Sequence, residues 1–385
     1  MKIAIVVPTI REECIIKFLN EWKSEFEAQK DLMIFVVEDN PHKSFDISPP
    51  LSSLRTHSPS SLCCAVRNSV IRVKNGTRGE ARRGVLSSGG IPPLTPPLDT
   101  RGEKNIIHFS WEDIENDLGE KAWIIPRRTD CVRSYGYYKA YQAGADILIT
   151  LDDDCYPAQR TPYLIEEFIK NLERPASARF FNTLDGRITN YSGGLYPRGF
   201  PYADRDCRAA LCHGLWENVL DFDGKTQLQM PDFTAEVSKA GASVIPSGAF
   251  FTMCGMNTAV IREAIPAFYF LLMGKDKNGN RWGVDRFGDI WCGIFIKKII
   301  DHLNMAALSG QPVIRHSRAS DAQKNFELEA TGMPLNEWFY KEVAGIALES
   351  DSFKDCYREL ALKLPSKNGY FDKLKEAMEI WAGLF

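Results

Sequence analysis

Short apolar runs closed by polar residues recur along the chain and alternate with stretches of helical period. Ile3-Ala4-Ile5-Val6-Val7-Pro8-Thr9 predicts a strand buried on both faces. Over residues 13 to 28, Ile15, Ile16, Leu19, Trp22 and Phe26 fall on one side of a helix. Leu32 to Val37 predicts a second strand, closed by Glu38-Asp39-Asn40-Pro41. Strand, helix and strand in this order predict a right-handed parallel unit. Asp39, just beyond the second strand, is placed either to accept hydrogen bonds from a nucleoside or to cap a turn.

Residues 48–103 break the pattern. They are rich in Ser, Pro, Gly and Arg, and Thr77-Arg78-Gly79-Glu80 recurs as Thr100-Arg101-Gly102-Glu103. This segment is expected to be an inserted, disordered, low-complexity stretch, tolerated because long surface loops cost little closure entropy. Periodicity resumes near Ile106. Strands are predicted at 122–125, 146–151, 178–182 and 312–315, and helices at 129–143, 163–172 and 285–303. Residues 184–260 are rich in Gly, Pro and aromatics, a composition that suits either a pocket wall or irregular surface. Residues 335–385 predict helices alone. The expected division is a catalytic domain over 1–47 and 104–320, the insertion, and a helical extension over 321–385.

Composition narrows the class. Hydrophobic residues make up 44% of the 385 positions and charged residues 25%, values of a globular protein. The net charge of −3 argues against a nucleic-acid partner. Ten scattered cysteines without a CxxC pair read as reduced thiols in the cytoplasm. The apolar run after Met1-Lys2 is too short for a signal peptide, and no run approaches the roughly 18 apolar residues of a membrane span.

The candidate chemistry centres on Asp152-Asp153-Asp154-Cys155, directly after the apolar run Ile147-Leu148-Ile149-Thr150-Leu151. On an extended chain Asp152 and Asp154 share one side and Asp153 takes the other. Two carboxylates beyond a buried strand suit a hard divalent cation, Mn2+ or Mg2+, bridging to substrate phosphates. The alternative is a solvated acidic turn. No GxGxxG is present, which argues against a dinucleotide or flavin site.

Further motifs accompany this one. They are Val7-Pro8-Thr9-Ile10-Arg11, Arg133 with Gly136-Tyr137, Phe181-Asn182-Thr183-Leu184, Arg198-Gly199-Phe200-Pro201, His213-Gly214-Leu215-Trp216, Thr226-Gln227-Leu228, Met253-Cys254-Gly255-Met256-Asn257, Asp289 with Trp291, and His316-Ser317-Arg318-Ala319-Ser320. In this order they resemble the reversibly glycosylated polypeptide family, which includes plant UDP-arabinopyranose mutases. The resemblance spans nearly the whole chain outside the insertion. It implies an α/β, GT-A-type nucleotide-sugar fold with a mostly parallel central sheet and a C-terminal helical extension. It also implies a divalent metal, a UDP-sugar as partner and interconversion of its pyranose and furanose forms, with self-glycosylation on an arginine. The other reading is a metal-dependent glycosyltransferase serving an external acceptor. A homo-oligomer is left open.

Residue by residue, the resemblance assigns metal binding to Asp152 and Asp154, with His316 as a third ligand or a structural histidine. Thr9, Arg11, Asp39, Arg133, Asp153, His213 and Trp216 become substrate-binding candidates, with core packing the alternative for His213 and Trp216. Asp289 becomes a catalytic acid or base, and Arg187 and Arg198 the alternatives for capturing the glycosyl group or holding phosphate. The chain departs from the family at Gly288-Asp289, where members carry paired aspartates, and around Arg187, where spacing and neighbours differ.

Overall fold

The computed structural model describes residues 1–47, 105–158, 163–184, 195–237, 241–317 and 321–385. The insertion expected at 48–103 and the candidate Arg187 lie outside these residues.

Among the described residues nine strands form one sheet: β1 (Ile3–Thr9), β2 (Leu32–Glu38), β3 (Asn105–Phe109), β4 (Ile147–Leu151), β5 (Cys155–Pro157), β6 (Ala209–Asn218), β7 (Ser243–Val244), β8 (Asn257–Ile261) and β9 (Ala306–His316). The spatial order is β3-β2-β1-β4-β8-β6-β9-β5, with β7 also on β9. β3, β2, β1 and β4 run parallel. β8 runs against both β4 and β6, so β6, and β9 beside it, point the same way as β4. Only the short β5 and β7 and the five-residue β8 run against the rest. This is the expected mostly parallel α/β sheet.

The helices are α1 (Glu12–Glu21), α2 (Lys23–Ala28), α3 (Trp111–Leu118), α4 (Ser134–Gln142), α5 (Leu164–Glu173), α6 (Gly224–Gln229), α7 (Gly288–His302), α8 (Ala322–Glu329), α9 (Gly332–Gly345), α10 (Phe353–Lys363) and α11 (Gly369–Ala382). Alternate residues of β1 feed two cores. Ile3, Ile5 and Val7 pack with Phe18 and Leu19 of α1 and Phe168 of α5. Ala4 and Val6 share the other core with Tyr137 of α4, Trp291 of α7 and Trp381 of α11. The near-continuous apolar run of β1 follows, because both of its faces are dry. Gly136 lets α4 approach β1 closely, since a Cβ there would meet the Val6 side chain.

Two expected strands are absent. Residues 119–124 form a 3-10 turn in which Ala122 and Ile124 are buried, so an apolar pair two residues apart arose without a strand. Residues 178–182 are irregular, and the Ser177 Oγ instead accepts the Phe180 amide in a local turn. Conversely, β6 and most of β8 lie in the stretch 184–260, for which no strand was expected. Their motifs explain each other: Gly214 of β6 leaves room for Asn257 of β8, whose Nδ2 donates to the Leu215 and Pro312 carbonyls.

Candidate active site

β1, β2, β4, β6 and β9 all end at one edge of the sheet, and a cavity of about 770 Å³ opens there. Its wall includes Thr9 and Arg11 after β1, Asp39 after β2, Arg133 before α4, Asp152, Asp153 and Asp154 after β4, and His316 at the end of β9. Strand ends thus gather residues separated by three hundred positions.

The three aspartates do not alternate along an extended chain. They sit in a turn closed by the Cys155 amide on the Asp152 carbonyl at 3.1 Å. Their side chains still diverge, each to its own base. Asp152 Oδ1 accepts from Arg133 Nη2 at 2.5 Å. Asp153 turns inward, accepting from Thr9 Oγ1 at 2.6 Å and facing Arg11 Nη2 at 3.6 Å. Asp154 Oδ1 faces His316 Nε2 at 3.7 Å. Burial pushes Asp153 up to about 6 even though the Thr9 hydroxyl favours its charge. It ties β1 to β4.

Arg133 is buried and its fork is filled. Nη1 donates to Thr150 Oγ1 at 3.0 Å and to the Gly255 carbonyl at 2.8 Å, and Nε to the Asp130 carbonyl at 3.0 Å. Burial alone would lower its pKa, but Asp152 reverses the sign and raises it. Arg133 therefore fixes Asp152 in place. Asp39 is buried and accepts from Trp111 Nε1 at 2.8 Å and from the Arg128 and Thr129 amides at 3.1 and 3.0 Å. A carboxylate has about four acceptor positions, so one remains for a ligand.

His316 Nδ1 lies 2.8 Å from the Val219 carbonyl. A carbonyl only accepts, so Nδ1 carries the proton and Nε2 is turned toward Asp154. Burial would lower the pKa of this imidazole, and Asp154 raises it. An imidazole whose Nδ1–H is anchored on a carbonyl presents Nε2 in the orientation common to metal-ligating histidines. Among the described residues no three His, Cys, Asp or Glu side chains converge to ligand spacing. The donor set fits an open site instead, in which one or two carboxylates hold a cation and substrate phosphate completes the shell.

Asp289 lies behind the cavity at the start of α7. Its Oδ2 accepts the Gly255 amide at 3.1 Å, and burial, with Asp130 and Asp221 nearby, pushes it up to about 7. Other predicted residues lie elsewhere. His213 is buried within β6, with Nδ1 3.2 Å from Ser309 Oγ and its ring edge-on to Trp216 and Phe251. Neither His213 nor Trp216 lines the cavity. Arg198 is exposed, beside the Phe180–Phe200 ring contact, and is also absent from the cavity wall.

The wall adds residues that motif reading passed over: Asp130, Asp221, Asp285 and Arg286. Arg286 had one visible signal, its place just before Gly288-Asp289. Asp221 had only the acidic Asp-Phe-Asp run at 221–223.

A family model described as reversibly glycosylated polypeptide matches residues 102–385. UDP-arabinopyranose mutase 2 of Arabidopsis thaliana is 36% identical over 285 residues, covering 71% of this chain and 76% of that protein. UDP-arabinopyranose mutase 1 of Oryza sativa subsp. japonica is 34% identical over 285 residues, covering 71% and 76%. Among solved structures, glucosyl-3-phosphoglycerate synthase from Mycobacterium tuberculosis, in complex with Mn2+, UDP and phosphoglyceric acid, aligns over 96% of this chain and 80% of that one at 10% identity and a TM-score of 0.37. The mannosyltransferase PcManGT from Pyrobaculum calidifontis, in complex with GDP-Man and Mn2+, aligns over 100% and 86% at 12% identity and a TM-score of 0.38.

Proposed function

Because the chain belongs to the reversibly glycosylated polypeptide family, we propose that it is a metal-dependent UDP-sugar mutase interconverting the pyranose and furanose forms of a UDP-arabinose-like sugar. It is an enzyme, a mutase or a related glycosyltransferase. The observation that carries the mutase proposal is the acidic turn at the end of β4, whose three carboxylates are separately anchored around a cavity at the sheet's carboxyl edge.

The chemistry requires the bond between the anomeric carbon and phosphate to break and the sugar to reattach through another ring form. A Mn2+ or Mg2+ ion held by Asp154 and His316, with Asp152 beside them, would neutralise the diphosphate as it leaves. The protein's own groups do the remaining work. Asp39, with the Arg128–Thr129 segment it holds, offers a nucleoside acceptor. Arg11 stands beside Asp153 at the phosphate side, and Arg133 keeps Asp152 aimed. Asp289, raised to about 7 by burial, stands behind the cavity wall, where it can hold or release a proton. Arg187 and Arg198 are candidates for the glycosylated arginine. Arg198, lying outside the cavity wall, serves in this reading as an acceptor rather than in ring interconversion. No described helix is long and apolar enough to cross a membrane, and a cytoplasmic location is part of the proposal.

Incubation with several UDP-pyranoses and Mn2+ or Mg2+, followed by chromatography of the nucleotide-sugar pool, tests the assignment. A new UDP-furanose peak is expected. Loss of UDP-sugar with an acceptor glycosylated, and no isomer formed, would identify a transferase instead.

A further inference from the structure

The cavity is electrostatically divided. Near Asp39 its wall carries Arg128 and Lys275, and Arg11 follows β1. Around Arg286 the balance reverses. Asp130, Asp221 and Asp285 line that part of the wall, with Asp289 behind them. Arg286, with Arg281 acting on Asp285, thus faces several carboxylates. An additional anionic group is disfavoured there, whereas hydroxyl groups find both acceptors and a donor.

Two details mark Asp221 and Arg286 as built for a ligand. Asp221 is exposed to the cavity, yet it is held on its inner side by Cys254, whose thiol donates to Oδ2 at 3.4 Å. The next residue, Gly255, holds Asp289. Arg286 adopts a left-handed backbone, φ 67°, which a long side chain occupies at a cost. Asp285 Oδ1 supports that conformation by accepting the Arg286 amide at 3.0 Å. Among the described residues the guanidinium makes one ion pair, a loose one, Nε to Glu329 Oε1 at 3.9 Å. A strained backbone therefore presents the guanidinium at the cavity wall, where Asp221, Asp130 and Asp289 favour its charge.

We propose that Asp221 and Arg286 form the sugar subsite, Asp221 accepting from one pyranose hydroxyl and Arg286 donating to another, so that the pair selects an uncharged pyranose over a uronic acid. This rests on the cavity being a UDP-sugar site, and it fixes which end of the substrate lies where: the nucleotide over Asp39 and Arg128, the sugar over Asp221.

The test is calorimetric titration with Mn2+ present, using UDP, UDP-arabinopyranose and UDP-glucuronate on wild type, Asp221→Asn and Arg286→Gly. In wild type the arabinosyl group should add affinity over UDP and the glucuronyl group should not. Both variants should keep UDP affinity within about twofold while losing roughly tenfold or more of the arabinosyl gain. Arg286→Gly should also leave the thermal midpoint level or higher, because glycine takes φ 67° without strain. A purely structural arginine would instead lower that midpoint. An arabinosyl gain unchanged in both variants, a parallel loss of UDP affinity, or a wild type that prefers the uronic acid would overturn the subsite. Turnover is read separately. The expected binding pattern without any conversion would leave the subsite standing and overturn the mutase reading.

Discussion

Asp154 Oδ1 and His316 Nε2 face each other at 3.7 Å across the junction of β5 and β9, too far for a hydrogen bond of ordinary length. The spacing leaves room for a cation to take one donor from each. The Ser317 amide on the Asp154 carbonyl at 2.9 Å and the Val219 carbonyl on His316 hold both residues independently of any ligand.

The first prediction follows. Asp154→Asn should fold normally and lose the enhancement of UDP binding by Mn2+, at a cost of about 1.5–3 kcal/mol, because an amide keeps the size but not the charge. Titration of UDP with and without Mn2+ measures this. Equal enhancement in wild type and variant would remove Asp154 from the metal site.

Asp153→Ala should behave oppositely. Its carboxylate bonds to Thr9 and Arg11 within the protein, so the variant should lose about 1–3 kcal/mol of stability in urea denaturation. An unfolding midpoint equal to that of wild type would show that Asp153 does not hold β1 to β4.

Arg133→Lys should cost about 3–5 kcal/mol, since a lysine cannot replace a fork that reaches Thr150, Gly255, Asp130 and Asp152 together. Urea midpoints would detect it. A loss below about 1 kcal/mol would mean that water or a shifted side chain takes over these contacts.

His213 supplies a pH dependence. Burial depresses its pKa from 6.5 to about 4. As pH falls below 6.5 the unfolded chain takes up a proton that the folded chain refuses, so stability drops until about pH 4, by about 3 kcal/mol at most. Glu25 acts in the opposite direction, its carboxyl being raised by burial from 4.5 to about 7. The informative quantity is therefore the difference between wild type and His213→Leu across this range. Parallel stability curves would show that His213 protonates without penalty.

Glu25→Gln isolates that second group. Glu25 stabilises fully below pH 4.5, and its benefit is lost as pH rises through about 7, where the buried carboxyl must ionise. Glutamine keeps the acceptor for the Ile165 amide at the start of α5 without ionising. The variant should gain on wild type steadily from pH 5 to pH 8 in thermal melts. A constant offset would show that the carboxylate is well solvated.

Much of this was legible in advance where one residue type carried one meaning. The β1, β2 and β4 runs, Asp39, and the acidic turn all lie where the strand pattern put them. The reason given for separating Asp153 from its neighbours was extended alternation, whereas a tight turn separates them. β6 stayed hidden because Gly214, Cys212 and His213 have no strand signature of their own, and their conformation is set by Asn257 and β9 across the sheet. Asp221 and Arg286 were hidden because they reach the cavity from loops whose course depends on tertiary packing. For His213 and Trp216 a pocket-lining and a core-packing role read alike in the sequence, and the two rings pack edge-on against each other away from the cavity wall.

Gly255 gives its amide to Asp289 and its carbonyl to Arg133, with Phe270 closing the space where a side chain would stand. One Cα therefore works as the fulcrum of a seesaw, with Asp289 on one arm and Arg133, the anchor of the acidic turn, on the other. Substitutions meant to retune one end will disturb the other, so new sugar preferences should be reached by changes on the opposite wall, leaving this residue untouched.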